Sequence, residues 1–168
     1  MLIKTSPAGG QNFKQPRLKH NAKSSKPYAP ILKTRMSSKV FIGLGSNLNN
    51  PKKQVTQALE ALNALPYTQV LKYSRLYQTQ PVGPQDQPDF INAVALLETQ
   101  LPPFLLLQHL QAIENKHQRV RLRHWGERTL DLDILQYDNL VLNTPLLTLP
   151  HPEMHKRDFV QIPLNDIL

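Results

Sequence analysis

Asp131-Leu-Asp133 places two carboxylates two residues apart in a segment where Leu130, Leu132 and Ile134 alternate with them. Alternate residues of a strand point to the same face, so both carboxylates aim one way, with Cα atoms roughly 6.5–7 Å apart, two strand rises. Such a pair suits one or two hard cations. Paired metals about 3.5–4 Å apart clamp a transferring phosphoryl group. Mg²⁺ takes only one or two carboxylates and leaves its other positions to water and phosphate oxygens. Taken alone, a D-x-D reads equally well as two solvated acids on an exposed strand face. Its surroundings shift the balance, because Arg119, Arg121, Arg123 and Arg128 all lie shortly upstream. Arginine forks grip phosphate bidentately, and Asp-held Mg²⁺ sits beside such cations in phosphoryl-transfer sites. The competing reading is that these arginines balance nearby acids or bind nucleic acid. Trp125, the only tryptophan, stands in a Gly-containing polar loop, where it either stacks on a flat ligand or folds back onto the core. Neither G-x-x-x-x-G-K-[ST] nor G-x-G-x-x-G occurs, and Gly43-Leu-Gly45 is too short a match to count.

Composition bounds what these groups can belong to. The chain has 168 residues, 40% of them apolar and 19% charged, enough for one globular domain with a sizeable core. It has no cysteine, which excludes disulfide scaffolds, Cys-based zinc sites and thiol catalysis. No apolar run approaches the roughly eighteen residues of a membrane helix, and no secretory signal follows Met1; a soluble cytoplasmic protein is expected. The net charge of +8 is unevenly placed: residues 1–39 hold nine Lys/Arg and no acid, whereas residues 40–168 carry a net of −1. The basic character therefore belongs to the N-terminal segment. Residues 1–37 are rich in Lys, Pro, Ser, Asn and Gly and lack periodicity, so they read as a disordered basic tail. A nucleic-acid-binding arm, a transit peptide and a true translation start at Met36 are the other readings, and the tail or the later start is preferred.

The elements that must position the acids and arginines follow from pattern. Residues 39–44 form a β-rich run closed by a Gly45-Ser46-Asn47 turn. Asn50-Pro51 reads as cap and first residue of a helix with Val55, Ala58, Leu59, Leu62 and Leu65 on one face, ended by Pro66. Residues 68–77 predict a strand. Residues 80–89 contain three prolines and one glycine, a loop of functional type. Residues 90–97 suit a buried central strand. Pro102-Pro103 opens a second helix with Leu106, Leu110 and Ile113 as its buried stripe and Gln111 and Glu114 on its polar side. A basic loop (Arg119, Arg121, Arg123, His124) precedes the Asp-x-Asp strand. Tyr137-Asp-Asn139 then turns into residues 140–142 as a hairpin, and the chain is irregular until residues 159–164. The order β-α-β-β-α-β plus a hairpin strand matches a ferredoxin-like α+β domain over residues 38–168, with helices on one face of an antiparallel sheet.

Four blocks resemble the 6-hydroxymethyl-7,8-dihydropterin pyrophosphokinase family: Gly45-Ser-Asn-Leu48, Pro81-Val-Gly-Pro-Gln-Asp-Gln-Pro-Asp-Phe-Ile-Asn92, Trp125-Gly-Glu-Arg-Thr-Leu-Asp-Leu-Asp-Ile134 and Leu149-Pro-His-Pro-Glu-Met-His-Lys-Arg-Asp-Phe159. The third is close to a family signature, and the resemblance runs from about Lys39 to the C-terminus. It implies transfer of the β,γ-pyrophosphate of ATP to the pterin hydroxymethyl group in folate biosynthesis, with two Mg²⁺ ions. By motif, Asp131 and Asp133 hold the ions, and Arg119 and Arg128 grip the phosphates and act in the transfer. Gln111, Glu114, Arg121, Ile134, Thr148, His151 and Arg157 line the nucleotide site. Trp125 and Phe159 sandwich the pterin, Asn92 reads its polar edge, and Thr79, Val82 and Phe90 lie nearby. The resemblance further implies two mobile loops, residues 80–89 and 119–128, and a monomer with no membrane or nucleic-acid partner. Three departures stand out: Phe90 where the family often has an aromatic hydroxyl, Leu146 where some members have Arg, and an end some two dozen residues earlier than in well-known members.

Two rivals are weaker. RNA-recognition domains share the βαββαβ order, but their aromatic sheet motif is missing, and acids on a binding sheet would repel phosphate. A catalytically dead relative is at odds with intact Asp131, Asp133, Arg119, Arg128 and Trp125. Deleting residues 1–37 is expected to leave steady-state turnover unchanged; a large loss would make the tail part of the enzyme.

Overall fold

The computed structural model describes residues 36–118 and 125–168. Residues 1–35, which hold most of the expected tail, lie outside the described residues, as do Arg119, Arg121, Arg123 and His124. The described chain runs β1 (Ser38–Ser46), α1 (Pro51–Asn63), β2 (Thr68–Tyr73), β3 (Tyr77–Thr79), β4 (Phe90–Thr99), α2 (Pro103–Lys116), β5 (Asp131–Tyr137), β6 (Leu142–Asn143), β7 (Thr148–Leu149), a 3-10 turn at Met154–Lys156, and α3 (Asp158–Asn165). The main sheet has the order β2-β4-β1-β5, with β3 also on β4, and every pairing is antiparallel. This is the ferredoxin-like α+β arrangement that the order of elements predicts.

Alternation along β1 sends Val40, Ile42 and Leu44 to one face. They join Val55, Leu59 and Leu62 of α1 and Leu106, Leu110 and Ile113 of α2 in the main core. Asn50 caps α1 as expected, its Oδ1 accepting from Lys53 N–H at 3.3 Å, and Pro51 opens the helix. The helix stops at Asn63, so buried Leu65 lies beyond it.

Three expectations change. The strand expected over residues 68–77 ends at Tyr73 and a second begins at Tyr77; between them the buried Ser74 Oγ accepts from Val94 N–H at 2.9 Å and interrupts the ladder. The turn after β5 forms, with Leu140 N–H donating to Tyr137 O, but the strand it leads to does not return to β5. Instead β6 pairs with β7 in a separate two-stranded ladder, and Asp138 Oδ1 accepts from Lys39 N–H at 2.7 Å. Finally, residues 159–164 belong to a helix on the opposite face of the sheet. Val160, Leu164 and Ile167 cover Val94, Leu96 and Leu135 in a second core. β4 is buried on both sides, which explains its near-continuous apolar run.

The C-terminal end of α3 is tied to the β2–β3 link. Arg75 donates to both carboxylate oxygens of Asp166, its backbone N–H donates to Oδ2 at 2.8 Å, and its guanidinium also reaches the Tyr77 hydroxyl. Burial pushes the Asp166 carboxyl up, but the hydrogen bonds from Arg75 outweigh it and hold the group below its ordinary value. A depressed folded-state value contributes stability above the unfolded pKa and loses it as pH falls through the folded one. Asp166→Asn should therefore lower Tm at neutral pH. The gap from wild type should close as pH falls through and below the ordinary carboxylate range; a gap constant with pH would refute the assignment.

Candidate active site

α3 covers only part of the outer face of the sheet. The remainder is the floor of a cavity of about 230 Å³ whose lining includes Gly43, Gly45, Asn92, Asp131 and Asp133. Register explains the floor. Asp131 stands opposite Gly45 and Asp133 opposite Gly43, so each carboxylate faces a cross-strand neighbour without a side chain. Both glycines have ordinary negative φ; they are here for space. A Cβ on Gly45 would come within 3.1 Å of Asn92 Oδ1, and one on Gly43 within 3.3 Å of a Leu135 methyl.

Ten of the candidate residues line this one cavity: Asp131, Asp133, Arg128, Arg157, Thr79, Val82, Phe90, Asn92, Trp125 and Phe159. They come from β3, the 80–89 loop, β4, the segment before β5, β5 and the start of α3. Asn92 Nδ2 donates to Thr79 Oγ1 at 2.7 Å. The Arg157 guanidinium lies 5.6 Å from the centroid of Phe159, a cation–π distance. Trp125 is 51% exposed. Arg128 and Asp131 form a partly buried ion pair.

Five expected nucleotide-site residues are not in the lining. Gln111 is exposed on α2. Ile134 is buried in the helix-side core. Thr148 and His151 are half-buried beside β5, where His151 N–H donates to Leu135 O at 2.8 Å. Glu114 corrects the helix-face reading: it is 5% exposed, and its Oε1 accepts from Leu132 N–H at 2.7 Å. The carboxylate thus holds the backbone between the two aspartates at the sheet's edge strand, where a further strand would otherwise bond. Lys156 and Glu153 line the cavity without having been singled out. Asn47, Gln87 and Gly83 were missed as individuals, although Asn47 and Gln87 are nearly fully buried. Polar residues inside Gly- and Pro-rich turns were the available signal.

Among the described residues no group of three or more His, Asp or Glu could cage a metal. Asp131 and Asp133 are two hard oxygen donors facing one space. That set fits a cation that takes one or two carboxylates and completes its shell with phosphate oxygens. A larger groove of about 640 Å³ beside α1 and the end of α2, lined by Gln54, Glu60, Lys116 and His117 among others, has neither paired acids nor a Phe, Tyr or Trp among its described lining residues. The smaller cavity is therefore the candidate site.

Comparison with known proteins places the chain among named relatives. A family model described as 7,8-dihydro-6-hydroxymethylpterin-pyrophosphokinase matches residues 41–168. The chain is 54% identical over 127 residues to the 2-amino-4-hydroxy-6-hydroxymethyldihydropteridine pyrophosphokinase of Haemophilus influenzae, covering 76% of this chain and 79% of that one. It is 48% identical over 132 residues to the enzyme of the same name from Pseudomonas aeruginosa, covering 79% and 82%. For the Bacillus subtilis enzyme of that name the identity is 41% over 132 residues, with 79% of each chain covered. None of the described helices is long and apolar enough to cross a membrane.

The Glu114 contact can be tested without substrate. Glu114→Ala leaves the Leu132 N–H without this acceptor and should cost about 1–3 kcal/mol in urea unfolding. Glu114→Gln keeps an acceptor and should cost less; equal losses would refute the edge-capping role.

Proposed function

The chain belongs to the 7,8-dihydro-6-hydroxymethylpterin-pyrophosphokinase family, and from that premise we propose how its cavity carries out the family's reaction. That reaction transfers pyrophosphate from ATP to 6-hydroxymethyl-7,8-dihydropterin in folate biosynthesis, giving the pterin pyrophosphate and AMP. The observation that carries the assignment of roles is that one cavity joins Trp125, Phe159 and Asn92 to Asp131, Asp133, Arg128 and Arg157.

Trp125 and Phe159 hold the flat pterin between them by stacking. Asn92 spends its Nδ2 on Thr79, which turns Oδ1 towards the floor above Gly45 as an acceptor for a ring N–H. Val82 and Phe90 add apolar contact. At the other end Arg128, with Arg119 from outside the described residues, binds phosphate oxygens, and Arg157, with Arg121 from outside the described residues, lines the nucleotide site. Gln111, Glu114, Ile134, Thr148 and His151 group around α2 and the β5 edge as the nucleoside side of the site, Glu114 acting through the strand it holds. Asp131 and Asp133 would hold two Mg²⁺ ions, which would supply positive charge to offset the charge that develops on the transferred group. The hydroxymethyl oxygen bonds to the β-phosphorus as the bond to the α,β-bridging oxygen breaks. AMP leaves with that oxygen and the hydroxyl proton passes to solvent. Positioning and fixed charge supply the rate enhancement, with no obligatory protein base. The catalytic unit is residues 38–168, working as a cytoplasmic monomer.

The test is AMP formation from ATP with and without the pterin, in Mg²⁺, on the full chain. Pterin-dependent AMP is expected, and its absence would overturn the reading. Asp133→Ala should abolish this turnover while leaving the circular dichroism spectrum unchanged; retained turnover would sink the metal assignment.

A further inference from the structure

Asn47 and Gln87 have no part in the chemistry above, yet they are 2% and 8% exposed. Each amide joins different loops. Asn47 Oδ1 accepts from Arg128 N–H at 2.8 Å, and Asn47 N–H donates to Arg128 O at 3.0 Å. Asn47 Nδ2 donates to Gln87 Oε1 at 3.0 Å and to Pro88 O at 2.9 Å. Gln87 Nε2 in turn donates to Trp125 O and to Pro84 O, both at 2.9 Å. An unbroken amide chain thus runs from the backbone of Arg128 through two buried side chains to the backbone of Trp125.

The far end of that chain needs holding. Trp125 has φ of 53°, a left-handed conformation that costs a bulky L-residue about 1–3 kcal/mol and persists only when its surroundings impose it. Gly83 supplies the other restraint. A Cβ there would fall 2.6 Å from Trp125 Cβ and 2.8 Å from Trp125 O, so the 80–89 loop lies directly on the Trp125 backbone. We infer that Asn47 and Gln87 are positioning residues that hold Trp125 in this conformation and tie it to Arg128. The aromatic and cationic ends of the cavity are then set as one unit. The inference rests on the proposed pterin and phosphate roles for its kinetic consequence, not for its structural one. Ligand engagement at either end favours the same loop arrangement, and such coupling is reciprocal.

Trp125 is the only tryptophan, so its fluorescence reports this position alone, without substrate. Gln87→Glu keeps the acceptor for Asn47 and loses both Nε2 donors. Asn47→Asp keeps the acceptor for Arg128 and loses both Nδ2 donors. In the full chain both variants should show more sub-nanosecond indole motion in fluorescence-anisotropy decay than wild type. Gln87→Ala should do the same, and Asn47→Asp/Gln87→Ala should move Trp125 no more than Gln87→Ala alone, as links in series require. In the AMP assay Gln87→Ala should raise the pterin KM about tenfold, the equivalent of one lost hydrogen bond, with a smaller change in the ATP KM. Unchanged indole motion in Gln87→Glu and Asn47→Asp would overturn the inference, whatever happens to Tm. Increased motion in a chain whose wild type makes no pterin-dependent AMP would uphold the positioning role and defeat the proposed function instead.

Discussion

The pairing of β1 with β5 is the constraint on which the site depends. Antiparallel register sets Gly43 opposite Asp133 and Gly45 opposite Asp131, and the period of two sends both acids to the face that α1 and α2 leave free. A slip of one residue would turn the carboxylates into the helix-side core. Several anchors hold that register. Asp138 engages the backbone of Lys39 at one end. Asn47 and Arg128 exchange hydrogen bonds at the other, and Glu114 holds Leu132 from the side.

The two faces of the sheet divide the work. One is sealed by α1 and α2 and supplies most of the buried apolar area, with each fully buried leucine worth about 1.5–3 kcal/mol. The other is shared between a smaller core under α3 and the cavity. Leu135 belongs to that core and also lines the cavity, as do Val94 and Val160. The floor of the site is therefore continuous with packed structure, which suits the positioning role proposed for it.

Much of this was legible in the sequence because it is local. Period-two alternation around Asp131 and Asp133 showed a strand and the shared face, and Asn50-Pro51 marked a helix start. The family resemblance brought Thr79, Val82, Phe90, Asn92, Trp125 and Phe159 into one set, and the fold places them around one cavity. What escaped is non-local. Gly43-Leu-Gly45 is too short to count as a nucleotide-binding motif, and its meaning appears only once its partner strand is known. Glu114 sits three residues after Gln111 on the helix and reads as polar surface, but the edge of β5 claims it. The Tyr137-Asp-Asn139 turn was recognisable, whereas turn chemistry does not say which strand the outgoing chain will join. α3 contains Pro163 and was too short and apolar for periodicity to distinguish helix from strand.

α3 spans both of these halves. Its first residues lie where Phe159 and Arg157 meet the cavity, its middle closes the second core, and Asp166 just beyond it is gripped by Arg75. Fold and site thus share one short segment. A chain shortened before Asp158 would surrender an aromatic wall and, in the same cut, lay bare Val94, Leu96 and Leu135 as an adhesive apolar strip. The C-terminal boundary of any fragment meant to keep the site is thereby drawn by the helix that seals the back of the sheet.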